Sequence, residues 1–271
     1  MSELIINDDN WREFIGDGHV VERGGELRML GALPRRTAFG GTVASAADPS
    51  FLIPRSEWDA RIAEKDEQKT WLADLIKPEE RRVITIAEDQ RSLGYCWTYC
   101  VTNNVIVCRL RQGEPLVLLS AESVGGPTNG WRDQGGWPET ALKRYMSHGA
   151  CPQSFMDRPN SLDPNRWQNG WQQAGLDYRV EEWLDIDFPG RTFDALVAAA
   201  LSGKGSVCCY DWWGHAIFGG LKVRKVSGRY QVMHWNSWGL SEGEEGWIWI
   251  DERRSVPEGG LFTVGSVLPK D

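Results

Sequence analysis

The chain changes texture once, near Gly205, and that change limits its architecture more than any other feature. Ahead of it, apolar residues recur at helical spacing; behind it, short runs rich in Val, Ile, Tyr and Trp are broken by Gly and Ser. The spacing predicts helices over 96–108, 138–147 and 192–201, a charged helical stretch over 57–75 and a short β-branched run at 83–86. Pro138 suits a first helical turn and Glu139 the positive end of that helix, while Lys143, Arg144 and His148 suit its other end and Gly149 a stop. Strands are predicted over 207–212, 215–223, 230–235 and 247–250, with Trp247 and Trp249 on one face of the last and Ile248 and Ile250 on the other. Helices first and antiparallel strands second is the order of an α+β fold, not of alternating βαβ units.

Composition narrows the function. With 271 residues the chain makes one large domain or two small ones, and 41% hydrophobic residues can bury a core. A net charge of -8 without a basic block argues against nucleic acid as a partner, because affinity for phosphates comes from clustered Lys and Arg. The apolar run 195–201 is far too short to span a membrane, and the acidic start lacks the basic, apolar pattern of an export leader. A cytoplasmic protein, or one packed into a particle assembled inside a cell, is expected, with no membrane partner. The six cysteines, at 96, 100, 108, 151, 208 and 209, include no CxxC pair, so they read as small buried hydrophobes in a reducing compartment, with no metal and no cofactor implied. Residues 1–50, rich in Gly and charge and ending in the small-residue stretch 40–50, read as an extension or linker, with 51–271 as the main domain. Such an extension is a candidate anchoring arm toward an assembly partner.

Three segments carry chemistry together. In the first, a turn at Gly94 delivers Cys96 to the start of a predicted helix, where the helix dipole favours thiolate, and Gln90 lies across that turn. In the second, His215 opens a strand; in the third, Asn236 stands at a strand end. Acyl transfer by cysteine needs a thiolate beside an imidazolium, a group that fixes the ring, and donors for the oxyanion. Cys96, His215, Asn236 and Gln90 fill these roles. His234 is a rival base, but it shares a strand face with Asn236 and reads as structural; His148 reads as a helix-end residue and His19 as a surface one. Cys100, one helical turn past Cys96, is either a resolving thiol or, more simply, packing.

Here the residues resemble papain-like cysteine peptidases. Gln90-x5-Cys96-Trp97 resembles the family's oxyanion and nucleophile motif, Gly214-His215-Ala216 its histidine motif, and Asn236-Ser237-Trp238-Gly239 its asparagine motif. Gln134-Gly135-Gly136-Trp137-Pro138 resembles the glycine-rich wall of its substrate cleft, and Ile53-Pro54 with Trp58-Asp59 faintly resembles the start of a mature enzyme. The likeness runs over about residues 53–265 with the motifs in order. It implies a two-lobed fold, a helical lobe over roughly 51–165 and an antiparallel, β-barrel-like lobe over roughly 166–271, with the cleft between them. It implies Cys96 as nucleophile, His215 as acid and base, Asn236 as its orienter under Trp238, and Gln90 with the Cys96 N–H as oxyanion hole. Gly135 and Gly136 would pair with the substrate backbone as an added strand, beside Trp137.

Departures are visible too. Leu93 and Asp133 stand where the family has a disulfide pair. The 58–90 link is long enough for an inserted helix, the 207–215 segment is short, and residues 1–50 do not look like the family's helical pro-segment. Two functions follow from different classes. One is a cysteine endopeptidase acting on peptide or protein substrates, with self-cleavage around 43–47 as a variant. The other is a papain-like domain serving as a structural or binding part of a larger assembly, such as a virus particle. Twelve of the 15 Trp lie at or after Trp97, and Trp97, Trp137, Trp213 and Trp238 stand beside the proposed motifs, while others such as Trp167, Trp171 and Trp183 read as packing.

Overall fold

The computed structural model describes residues 3–17, 19–35, 45–46, 49–157 and 159–269. In chain order the elements are β1 (Ile5–Ile6), β2 (Val20–Arg23), β3 (Glu26–Met29), β4 (Ser45–Ala46), α1 (Arg55–Gln68), α2 (Leu72–Leu75), α3 (Pro78–Ala87), α4 (Cys96–Arg111), α5 (Glu122–Thr128), α6 (Pro138–Ser147), α7 (Trp171–Gly175), β5 (Val180–Asp185), α8 (Thr192–Leu201), β6 (Ser206–Tyr210), β7 (His215–Val226), β8 (Arg229–Trp235), β9 (Trp247–Asp251) and β10 (Gly260–Val267). The fold is α+β, as expected.

The main sheet has eight strands in the order β1-β9-β8-β7-β6-β10-β5-β4. Its centre is antiparallel, while the two outermost pairings, β1 on β9 and β4 on β5, are parallel. The barrel-like lobe expected from the resemblance is therefore an open sheet among the described residues: β1 and β4, both from the first 50 residues, lie on opposite edges instead of the edges meeting each other. The predicted extension thus adds two strands, and Ile6, Phe14, Val21 and Leu30 from it are buried in the core.

Both faces of the sheet are covered. On β9, Trp247 and Trp249 enter one core with α4, while Ile248 and Ile250 enter the other with α8 and Trp58 of α1, so the period-two alternation separates the two cores as expected. Every residue of α4 from Cys96 to Arg109 is buried. Thr98 and Thr102 sit in this helix without cost to polar satisfaction, because each hydroxyl donates to a carbonyl one turn back, Tyr95 O at 2.9 Å and Thr98 O at 2.9 Å. Ala195 to Ala200 of α8 are likewise fully buried, and the four alanines among them let the helix lie close to the sheet.

The structure differs from expectation in the 57–90 region. The helical stretch breaks at Lys69, which is left-handed at φ 51°, and restarts at Leu72. The β-branched run 83–86 is helical, inside α3. Pro78 in its first turn and Glu80 accepting from the Lys77 N–H start that helix, and Ile84 anchors it in the core. Burial of Ile84 and Thr85, with Val83 and Ile86 left exposed, outweighs the intrinsic preference of Val and Ile for strands.

Candidate active site

Cys96 begins α4, and the turn before it is held from two sides. The Gly94 N–H donates to Asp133 Oδ1 at 2.8 Å, and the Gln90 N–H donates to Ser237 O at 2.9 Å. Ser237 Oγ also donates to Gln90 Oε1 at 2.5 Å, which fixes the amide the other way round: its Nε2 donates to Leu93 O at 2.7 Å and to Met29 O at 3.0 Å.

His215 opens β7 opposite Tyr210 of β6. Its Nε2 lies 2.9 Å from Asn236 Oδ1. An amide oxygen only accepts, so Nε2 carries the proton and Nδ1 of the neutral ring keeps its lone pair; Nδ1 is buried with no hydrogen-bond partner. The imidazole sits between Trp213 and Trp238, each with its ring centroid 4.8 Å away. Asn236 is fixed through its backbone N–H, which donates to Gly246 O at 2.8 Å. α4 packs on β7, and the backbone N–H groups of Ala216, next to His215, and of Trp97 favour the Cys96 thiolate. His215 and Asn236 are thus brought together, as are Gln90 and Ser237 beside the turn that starts α4 at Cys96. His234 is elsewhere engaged, with Nε2 2.8 Å from Tyr210 Oη and Nδ1 3.0 Å from Val232 O, a structural histidine whose pKa burial pushes down to about 3.

The cleft is filled by the chain itself. Residues 29–34 run along it as an extended segment. Gly136 N donates to Gly31 O at 2.9 Å and Leu33 N to Gly136 O at 3.2 Å, a parallel bridge of Ala32 with Gly136. On the opposite wall Ala32 N donates to Gly214 O at 3.2 Å, and beyond it Trp137 Nε1 donates to Pro34 O at 3.1 Å. A Cβ on Gly31 would lie 1.9 Å from Gly94 O, so only glycine passes this point. Gly136 is glycine for a related reason, since a Cβ there would meet the Trp97 ring at 2.5 Å. Gly135 faces Gly31 O but makes no such bridge. The segment is pinned at both ends by arginines. Arg28 Nη2 donates to Trp238 O at 2.8 Å and Arg28 pairs with Asp89, while Arg35 pairs with Asp185 at 2.6 Å and Asp187 at 2.9 Å.

This cover sets the electrostatics. Cys96 and His215 are both fully buried. Burial pushes the Cys96 thiol up to about 11, although the backbone N–H groups of Ala216, Gly31, Trp97 and Ala32 pull the other way. Burial also pushes His215 down to about 4, against the pull of the Asn236 bond. The helix-start position alone predicts a thiolate, but in the covered cleft desolvation wins and the neutral pair is favoured.

No protein-family model and no curated protein sequence matches the chain. Solved structures do. A cysteine protease of Xylella fastidiosa, xylellain, matches with a TM-score of 0.55 at 15% identity over 66% of this chain and 82% of its own. Procathepsin L 3 of the Tenebrio molitor larval midgut matches with a TM-score of 0.55 at 16% identity over 81% and 93%. Bromelain of Ananas comosus, solved with the E64 inhibitor, matches with a TM-score of 0.51 at 16% identity over 67% and 92%.

The fold is papain-like.

Within the papain-like fold, the residue after Leu93, Gly94, donates its N–H to Asp133, and all six cysteines are free. Among the described residues no cluster of three metal-binding side chains exists, and no helix is long and apolar enough to cross a membrane. Of the small-residue stretch, Ser45–Ala46 form β4; the rest of 43–47 lies outside the described residues. Sequence reasoning missed the 28–35 segment. Its signal was an apolar Met29-Leu30-Gly31-Ala32-Leu33-Pro34 run bracketed by arginines in an otherwise polar region.

Proposed function

We propose that this protein is a cysteine peptidase held closed by its own residues 29–34. The observation that carries the reading is the His215 ring, fixed through Nε2 to Asn236 Oδ1, flanked by Trp213 and Trp238, with Nδ1 unpartnered where β7 meets the helix start at Cys96. Once the segment leaves, water and substrate reach the pair. The Cys96 proton passes to His215 Nδ1, and the thiolate attacks a peptide carbonyl carbon. The oxyanion meets Gln90 Nε2, released from Met29 O, and the Cys96 N–H. Imidazolium gives its proton to the leaving amine as the C–N bond breaks, leaving a thioester. Water, deprotonated by His215, then attacks the thioester; the acid leaves and the thiol is restored.

The test is peptide hydrolysis and Cys96 alkylation in a chain whose segment is loosened by Arg28→Ala and Arg35→Ala. Turnover that Cys96→Ala abolishes is expected. A loosened chain with alkylatable Cys96 and no turnover of any peptide removes the reading. That outcome would favour the papain-like domain as a binding or structural part, a use that the covered cleft and its neutral pair also suit.

A further inference from the structure

Arg35 is bound as a ligand would be. Its two terminal nitrogens reach different carboxylates, Nη2 to Asp185 Oδ2 at 2.6 Å and Nη1 to Asp187 Oδ2 at 2.9 Å, and its guanidinium lies over the Phe262 ring at 5.7 Å. The receiving carboxylates are positioned without it. Asp185 Oδ1 accepts from the Asp187 N–H at 3.1 Å, and Asp187 Oδ1 accepts from Thr192 Oγ1 at 2.8 Å. A third carboxylate lies close enough to feel the same charge. Glu139, at the start of α6 two residues past Trp137, is 8% exposed, its Oε1 has no hydrogen-bond partner, and it feels Arg35, Asp185 and Lys143. Without Arg35 these carboxylates would face one another at the end of the cleft, a state that draws in a cation. The fork across two oxygens suits guanidinium better than ammonium.

The place is on the substrate path. Ala32 pairs with Gly136, the next contact along is Pro34 O with Trp137, and Arg35 follows. Any extended chain that pairs with Gly136 passes the same carboxylates. We propose that Asp185, Asp187 and Glu139 form a cation subsite at one end of the cleft, filled by Arg35 while residues 29–34 cover Cys96 and by an arginine side chain of the substrate once they leave. The substrate half of this inference rests on the peptidase reading; the cation site does not.

The experiment uses the full chain carrying Arg35→Ala, titrated calorimetrically with L-arginine amide. Saturable binding is expected, weaker by at least about tenfold for L-norleucine amide, the loss of one charge-assisted pair. It should be absent from the unsubstituted chain, whose site is filled, and from Arg35→Ala combined with Asp185→Asn and Asp187→Asn. No binding to Arg35→Ala, or binding that the two Asn substitutions leave unchanged, overturns the subsite. A peptide series with Arg, norleucine or Glu at each position is then assayed on the chain carrying both Arg28→Ala and Arg35→Ala. A position preferring Arg over norleucine about tenfold in kcat/KM, lost with the Asn pair, supports the substrate assignment. Hydrolysis with no such preference overturns that assignment and leaves the peptidase reading standing. Arginine amide binding with an alkylatable Cys96 and no hydrolysis of any peptide by the doubly substituted chain overturns the peptidase reading and supports the cation site.

Discussion

Ser237 holds Gln90 in the orientation that an oxyanion donor requires: its hydroxyl donates to Gln90 Oε1, so the amide nitrogen, not the oxygen, faces the cleft. Ser237→Ala removes that constraint without touching Cys96 or His215. On the loosened chain kcat is expected to fall about tenfold with KM nearly unchanged, against a fall of about 100-fold or more for Gln90→Ala. Steady-state kinetics of both variants checks it. A rise in KM alone would assign Ser237 to substrate binding instead.

The covered site makes stability depend on pH at both ends. His215 is held down to about 4 from 6.5, so between those values the unfolded chain takes up a proton that the native chain refuses, and stability falls as the pH drops through that window. Cys96 is held up to about 11 from 9.0, so between those values the unfolded chain loses a proton that the native chain keeps, and stability falls as the pH rises. Each group contributes about 1.4 kcal/mol per pH unit inside its window. Urea denaturation of His215→Gln between pH 6.5 and 4.5 is expected to show a shallower acid limb than the unsubstituted chain; parallel limbs would contradict it.

Gly31→Ala puts a methyl group on the Gly94 carbonyl. The segment must shift, at a cost of about 1–3 kcal/mol, typical of overpacking. Cys96 alkylation by iodoacetamide, located by mass spectrometry, is expected to rise about tenfold or more, following that loss of closure. Unchanged protection of Cys96 would mean that the cover does not depend on this passage.

Trp238→Ala strips one face from the His215 ring and empties a fully buried position. A loss of about 3–5 kcal/mol is expected from chemical denaturation. The His215 pKa should also move up from about 4 toward 6.5 as water reaches the ring, read by NMR titration of its imidazole proton.

Much of this site was legible because its parts are local. Cys96 with Gln90, His215 beside Gly214, and Asn236 with Trp238 each sit in a short run whose residue types state their chemistry. The helices 138–147 and 192–201 were legible for the same reason, since Pro138 and the Ala-rich run mark start and burial within one segment. What was hidden depends on contacts across the chain. Arg28 meets Asp89 and Arg35 meets Asp185, partners that no spacing connects. β10 was not read as a strand because it is buried on both faces and shows weak alternation, and β5 was not because its exposed Glu181 and Glu182 stand side by side. The desolvated cysteine was hidden too, since helix position predicts its charge only when water is present.

The segment over Cys96 is joined to the same chain at both ends, through β3 on one side and toward β4 on the other. A tethered occupant acts at an effective concentration on the order of millimolar, whatever the dilution of the protein. A diffusing peptide therefore competes with a partner that dilution never removes. On the peptidase reading, the apparent KM of the intact chain is raised by the ratio of that effective concentration to the segment's own dissociation constant, and dilute substrate measures the tether before it measures the chemistry.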